Sequence, residues 1–131
     1  MAKKKILVVD DEVDFTELMK ARLEANDFEV AIANNGESAL DMVRTVKPDA
    51  VLLDIMMPGI DGLTVLKKVR AEFPALPVFM ITAFSNEEKI RAAGKFNASG
   101  FIIKSRHDIS EEIKTIKDAI EIADKYKEKR D

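Results

Sequence analysis

Residues 50–62 have the sequence AVLLDIMMPGIDG, in which an apolar run ends at Asp54 and a loop with proline and glycine follows. A short apolar run without polar alternation is typical of a strand that is buried on both faces of a parallel sheet. Asp61 and Gly62 mark the start of a helix, since aspartate is a preferred N-cap residue. This segment therefore predicts a strand, a loop and a helix, with a carboxylate at the end of the strand.

The same unit recurs along the chain. The predicted strands are Ile6–Val9, Phe28–Ala33, Ala50–Leu53, Val78–Ile81 and Phe101–Ile103. The predicted helices span 13–26, 35–46, 63–73, 85–97 and 108 to about 127. Strands that alternate with helices indicate an α/β protein with a parallel sheet covered on both faces. With right-handed crossovers, the expected fold is a three-layer, doubly wound, five-stranded parallel sheet.

Several residues predict how the helices start and pack. In the first helix we expect one inward face, made of Phe15, Leu18, Met19 and Leu23. Ser85 and Asp108 each precede a glutamate by three residues, which is the spacing of an N-terminal capping box. Gly94 lies inside the fourth predicted helix and should weaken it by about 1 kcal/mol relative to alanine. We therefore expect the fourth helix to be loosely held.

Composition narrows the class of protein. The 131 residues fit one domain, 1–131, with a charged tail at about 125–131. A net charge of −3 disfavours a nucleic-acid-binding domain. The chain has no cysteine and one histidine, His107, which excludes thiolate and multi-histidine metal sites. No apolar run is long enough for a signal peptide or a membrane span, so we expect a cytoplasmic protein.

Polar residues follow the predicted strands where each one ends. They are Asp10 and Asp11, Asp54, Thr82 and Lys104. In open parallel α/β sheets these ends meet at one edge, where ligands bind. Clustered carboxylates favour a hard divalent cation such as Mg²⁺, and a neighbouring lysine supplies a charge for a phosphate oxygen. Without a serine–histidine or cysteine pair, the available nucleophile is a carboxylate, which would form an aspartyl phosphate.

Four motifs at strand ends resemble the receiver domain of bacterial two-component response regulators. They are VVDDE at 8–12, LLDIMMPGIDG at 52–62, ITA at 81–83 and FIIK at 101–104. The resemblance covers nearly the whole chain and implies a flavodoxin-like strand order, 2-1-3-4-5. It implies that Asp54 is the phosphoacceptor. It also implies that Asp10, Asp11, Asp54 and the backbone carbonyl of Met56 hold Mg²⁺ or Mn²⁺.

The resemblance extends to the phosphate contacts and the switch. Thr82, Ala83 and Lys104 would bind the phosphoryl group, and Thr82 and Phe101 would be the switch residues. The output surface would be helix 4, strand 5 and helix 5, as in stand-alone regulators of the chemotaxis type. The phosphoryl donor would be a sensor histidine kinase or a histidine phosphotransfer protein. The signal would pass to a downstream protein or a homodimer, with no direct contact to nucleic acid or membrane.

Three positions depart from the family's usual pattern. Ser105 follows Lys104 where the family usually has proline, often after a cis bond, which costs about 3 kcal/mol before a residue other than proline. Asp27 and Asn97 occupy positions that are commonly glycine. Both types tolerate the left-handed conformation, so both substitutions fit helix ends.

Other functions remain open on the sequence alone. A constitutive adaptor with a receiver fold would bind its partner without phosphorylation. An aspartate-nucleophile phosphatase of the haloacid dehalogenase type would need DxDx[TV] after the first strand, which residues 10–13 do not match. A flavin or nucleotide binder would need a phosphate loop rich in glycine or hydroxyl residues there, where the acidic 10–12 are electrostatically unfavourable.

Overall fold

The computed structural model describes residues 3–83, 87–104 and 108–130, with side chains as far as residue 126. The strands are β1 (Lys4–Val9), β2 (Phe28–Ala33), β3 (Ala50–Asp54), β4 (Val78–Thr82) and β5 (Gly100–Ile103). The helices are α1 (Val13–Glu24), α2 (Gly36–Val46), α3 (Gly62–Glu72), α4 (Glu87–Lys95) and α5 (Ser110–Arg130). Strands and helices thus alternate as predicted.

All strand pairs are parallel, and the strands lie in the order β2-β1-β3-β4-β5. This order confirms the flavodoxin-like arrangement. The chain moves outward in one direction to β2 and then returns past β1 to β3. The β1–β3 boundary is therefore the point at which the topology reverses, and ligands of such sheets bind there.

Alternate strand residues contribute to two separate cores. Leu7, Val9, Val51, Leu53 and Met80 face α2, α3 and α4 in the first core. The second core lies against α1 and α5 and contains Ile6, Val8, Leu52, Phe79, Ile81 and Ile102. Because helices cover both faces of the sheet, side chains on either side of the central strands β3 and β4 are buried, and these strands need no polar alternation. The three-layer prediction is confirmed.

Three residues with left-handed backbone lie one to three positions after the ends of α1, α2 and α4. Asp27 and Asn97 have φ of 68° and 62°, as their side chains predicted. Lys47, with φ of 54°, was not predicted. It precedes Pro48, and proline disfavours the right-handed helical conformation in the residue before it, which explains why α2 ends there. The positive φ of Lys47 itself has no structural explanation.

The predicted inward face of α1 is wrong at one position. Leu18 is 46% exposed, whereas Thr16 is buried beside Met19 and Leu23. Thr16 can be buried because its hydroxyl donates to the carbonyl of Val13 at 2.9 Å. The inward face of α1 therefore contains Thr16, and Leu18 lies on the side that faces solvent.

The predicted helix caps have different outcomes. Asp108 accepts hydrogen bonds from the backbone N–H and the hydroxyl of Ser110, two residues later, instead of capping at the capping-box spacing. Ser85 lies outside the described residues. Asp61 accepts from the N–H of Thr64 at 2.9 Å and caps α3 as predicted.

Helix α4 buries one side chain among its described residues, Ala93. A Cβ placed on Gly94 would meet no atom within 4 Å, so packing does not require glycine there. We expect Gly94→Ala to stabilise the protein by about 1 kcal/mol because alanine has the higher helix propensity. Amide hydrogen exchange in α4 should be faster than in the other helices and should slow in the variant. Equal exchange in all helices of the wild type would contradict this.

Candidate functional site

The parallel strands bring the predicted site residues to one edge of the sheet. Val9 of β1 pairs with Leu53 of β3, and the next residues in the chain are Asp10 and Asp54. The two aspartates therefore lie side by side at the β1–β3 boundary. Thr82 ends β4, and Lys104 follows β5 with its N–H bonded to the carbonyl of Thr82 at 2.9 Å. Residues that are distant in the sequence thereby form one site.

Three carboxylates form the centre of this site. Asp10, Asp11 and Asp54 each present an oxygen within 4.8 Å of the other two. Asp10 is fully buried and Asp54 is 4% exposed, whereas Asp11 is exposed. Backbone N–H groups partly satisfy the buried pair: Glu12 donates to Asp10 Oδ1 at 2.9 Å and Met56 donates to Asp54 Oδ1 at 3.2 Å. Two buried carboxylates side by side are costly without a compensating positive charge.

Lys104 supplies one such charge. Its Nζ lies 2.8 Å from Asp10 Oδ2, 3.4 Å from Asp54 Oδ2 and 2.5 Å from Glu12 Oε1. Burial of the ammonium lowers the pKa of Lys104. The contacts with Asp10 and Glu12 and the charge of Asp54 outweigh burial, so the pKa lies above its usual value. Lys104 is therefore a fixed cation.

The single ammonium does not balance the acidic cluster. Burial, followed by the negative charge of Asp10, raises the pKa of Asp54 to about 7, against the opposing charge of Lys104. A proton consequently competes for this carboxylate near neutral pH. A divalent cation would relieve the same excess of negative charge.

The residues fit a hard divalent cation. Oxygen ligands from three carboxylates converge, and one of the three faces solvent. Asp10 Oδ2 is buried without an aligned hydrogen bond, and its close partner is the Lys104 ammonium. Mg²⁺ prefers one or two carboxylates and keeps water or phosphate oxygens in its remaining positions. Asp11 is exposed beside the buried Asp10 and Asp54, so water or phosphate oxygens can reach a cation held there.

The other predicted site residues differ in burial and in their distance along the strands from this cluster. Thr82 is buried at the end of β4, and Ala83 next to it is exposed. Phe101 is half-buried and packs against the first core. Met56 is 61% exposed, and its backbone N–H is the group that contacts Asp54. The structure describes Lys104 but not Ser105, so the isomer of the bond between them lies outside the described residues.

Two features of the site were not predicted from the sequence. Glu12 belongs to the VVDDE motif, but no role was predicted for it, although it contacts Lys104. Gly62 brings the start of α3 against the end of β3, since its N–H donates to the carbonyl of Ile55 at 3.0 Å. A Cβ on Gly62 would lie 2.0 Å from the carbonyl oxygen of Asp54. The proximity of Glu12 to the acidic pair in the sequence was the available signal for its role.

The chain matches known proteins over most of its length. Residues 6–121 match the family described as the response regulator receiver domain. The PhoP protein of Bacillus subtilis, an alkaline phosphatase synthesis transcriptional regulatory protein, is 37% identical over 123 residues, which are 92% of this chain and 51% of PhoP. The chain therefore spans about half the length of that relative.

Solved structures agree with this match. NtrX from Brucella abortus superposes with a TM-score of 0.87 at 35% identity, over 98% of this chain and 29% of NtrX. The response regulator TrrA of Thermotoga maritima, solved with Mg²⁺–BeF, superposes with a TM-score of 0.81 at 33% identity, over 88% of this chain and 98% of TrrA.

Among the described residues of the present chain, none of the helices has the length and apolar character that a membrane span requires.

Fold, acidic cluster and sequence matches agree, and the chain belongs to the response regulator receiver domain family.

Proposed function

We propose that this domain accepts a phosphoryl group on Asp54 in a divalent-cation-dependent reaction and thereby switches a protein-binding surface. The observation that carries the proposal is the position of Asp54. It is a buried carboxylate within 4.8 Å of two others and 3.4 Å from a lysine ammonium. Phosphoryl transfer depends on positioning the phosphoryl group and on balancing its charge. The two other carboxylates would hold a cation for this purpose, and the lysine would add a second positive charge.

The transfer is an exchange of one bond for another at phosphorus. A carboxylate oxygen of Asp54 attacks the phosphorus of a phosphohistidine, the P–N bond breaks, and the imidazole leaves with a proton from solvent. Asp10, Asp11, Asp54 and the Met56 carbonyl would hold Mg²⁺ or Mn²⁺, which would neutralise phosphate charge. Lys104 and Thr82, with the backbone at Ala83, would contact the phosphoryl oxygens. Water later attacks the phosphorus, which releases inorganic phosphate and restores the carboxylate.

The switch would use elements that already adjoin the site. Thr82 ends β4 and Phe101 pairs through Met80 with the same strand. Movement of Thr82 toward a phosphoryl group would change the packing around Phe101. Together with the thinly packed α4, this would bias the α4–β5–α5 surface between two states. The donor would be a sensor histidine kinase or a histidine phosphotransfer protein, and the receiver of the signal a downstream protein or a second copy.

Phosphorylation by a small donor tests the proposal without a cognate kinase. Incubation with phosphoramidate and Mg²⁺ should add the mass of one phosphoryl group, and peptide mapping should place it on Asp54. Chelation of the cation should prevent the reaction. A modification at another residue, or none under any of these conditions, would refute the proposal and favour the constitutive adaptor.

The lifetime of the aspartyl phosphate is a separate prediction. Met56 stands two residues after Asp54, and Phe84 stands two residues after Thr82. Neither side chain can orient the water molecule that hydrolyses the phosphoryl group, because neither forms a strong hydrogen bond. Met56 is exposed, and Phe84 lies outside the described residues. We expect the phosphoryl group to persist for minutes or longer in Mg²⁺, measured as the decay of the added mass. Decay within seconds would contradict this.

A further inference from the structure

Glu12 lies at the opening of the site and contacts the lysine that the proposed function requires. Its Oε1 is 2.5 Å from Lys104 Nζ, which is closer than Asp10 at 2.8 Å or Asp54 at 3.4 Å. The same ammonium lies 5.0 Å from the ring centroid of Phe15, within cation–π range. Of the three carboxylates that the lysine contacts, Glu12 is thus the nearest and the phosphoacceptor the farthest.

The backbone of Glu12 is fixed while its carboxylate is not needed for the helix. Glu12 occupies the N-cap position of α1 but makes no side-chain capping hydrogen bond. Its N–H donates to Asp10 Oδ1, which holds the backbone against the acidic cluster. The side chain is 64% exposed, whereas that of Lys104 is 13% exposed. The ion pair therefore lies at the boundary with solvent, where such pairs are weak and easily broken.

Glu12 is not part of the acidic cluster formed by Asp10, Asp11 and Asp54. A divalent cation at that cluster would engage Asp10 and Asp54, which are the other two carboxylates near Lys104. Glu12 would remain available to the lysine in the metal-bound protein. A phosphoryl group on Asp54 would then share Lys104 with Glu12 or displace it.

We propose that Glu12 is a positioning residue that competes with the phosphoryl group for Lys104 and so lowers the affinity of the site for it. This inference rests on the proposed function, since Lys104 must contact the phosphoryl group. Glu12 acts through Lys104 and touches no reacting atom. Its removal should strengthen phosphoryl binding, the opposite of the effect expected for a catalytic residue.

Beryllofluoride titration at saturating Mg²⁺ tests the competition. We expect Glu12→Gln to bind beryllofluoride about fivefold more tightly than the wild type, the size of one partly exposed charged contact. Glu17→Gln is the matched control because it removes an exposed glutamate from α1 and should change the affinity by less than about twofold. Equal affinities in wild type and Glu12→Gln would overturn the inference.

A second pair of variants separates competition from a general charge effect. In a Lys104→Ala background we expect weaker beryllofluoride binding, held by Mg²⁺ and the acidic cluster, and Glu12→Gln should leave that weaker affinity unchanged. If this background binds no beryllofluoride, the unfolding cycle described next decides between the two explanations. If the gain persists without the lysine, negative charge alone explains it and the positioning role is wrong.

Urea unfolding of the metal-free protein provides a readout that needs no phosphoryl binding. The double-mutant cycle of Glu12→Gln and Lys104→Ala should show a coupling of about fivefold in the unfolding equilibrium constant. An absent coupling would overturn the ion pair itself. Failure of the wild type to bind beryllofluoride would instead refute the proposed function, even if the coupling is found.

Discussion

Asp54→Asn is expected to lose all phosphoryl acceptance and yet to stabilise the metal-free protein above neutral pH. The loss follows because an amide is not a nucleophile for phosphorus under these conditions. The gain follows from the site's electrostatics, since burial and then the charge of Asp10 raise the pKa of Asp54 to about 7. Asparagine keeps the shape of the side chain and removes the charge that the fold must otherwise bury.

The sign of the pH dependence follows from the raised pKa. Asp54 has a pKa of about 7 in the folded protein and an ordinary value of 3.8. Its contribution to stability is present at low pH and is lost as the pH rises from about 4 to about 7. A shift of this size corresponds to at most about 4 kcal/mol. That value already includes the favourable charge of Lys104, and solvent beside the exposed Asp11 screens part of it. We therefore expect Asp54→Asn to be more stable than the wild type by about 2 kcal/mol at about pH 8.

Urea unfolding in a chelator at about pH 5 and about pH 8 measures this difference. The advantage of the variant should be small at the lower pH and should grow with pH. Asp118→Asn, at an exposed position on α5, is the control and should show no such growth. Saturating Mg²⁺ should stabilise the wild type more than the variant, because the cation binds the ionised carboxylate. An advantage of Asp54→Asn that is independent of pH would contradict the assigned pKa.

Gly62→Ala is expected to destabilise the protein strongly. The added Cβ would lie 2.0 Å from the carbonyl oxygen of Asp54 and 2.9 Å from the Cα of Ile55. Both are backbone atoms, so no side-chain rotation can relieve the overlap. Either α3 must move away from β3 or the backbone of Asp54 must shift. We expect a loss of at least about 3 kcal/mol, at the upper end of the range for overpacking.

Gly94→Ala is the matched control for this substitution, because it adds the same atom where nothing lies within 4 Å. The two variants should differ in sign, which chemical denaturation can measure directly. Gly62→Ala should also weaken Mg²⁺ binding, since its clash involves the backbone of Asp54, a proposed ligand of the cation. A Gly62→Ala protein as stable as the wild type, with normal Mg²⁺ affinity, would show that this contact is not rigid.

The layers of the fold and the meeting of Asp10, Asp54 and Lys104 could be predicted from the residues themselves. Both follow from short apolar runs and from a general rule, since parallel strands place their ends at one edge. The strand order was implied by family resemblance, not by the apolar pattern. Asp27 and Asn97 were predictable as left-handed residues because few other side chains tolerate that conformation.

Other features depend on three-dimensional placement. The inward face of α1 was misjudged at Leu18, since periodicity alone did not show that Thr16 could be buried with its hydroxyl bonded. The contact of Glu12 with Lys104 joins residues 92 positions apart and depends on side-chain direction. The raised pKa of Asp54 depends on the depth of its burial. The closeness of Gly62 to Asp54 depends on how α3 enters against β3.

The proposed function requires that Asp54 binds a phosphoryl group together with a divalent cation. Titration of beryllofluoride with and without Mg²⁺, followed by ¹⁹F NMR on the wild type and on Asp54→Asn, measures this binding. We expect one bound beryllofluoride in the wild type when Mg²⁺ is present, and none in Asp54→Asn or in the absence of Mg²⁺. Equal binding by the variant, or no binding by the wild type with Mg²⁺, would contradict the claim.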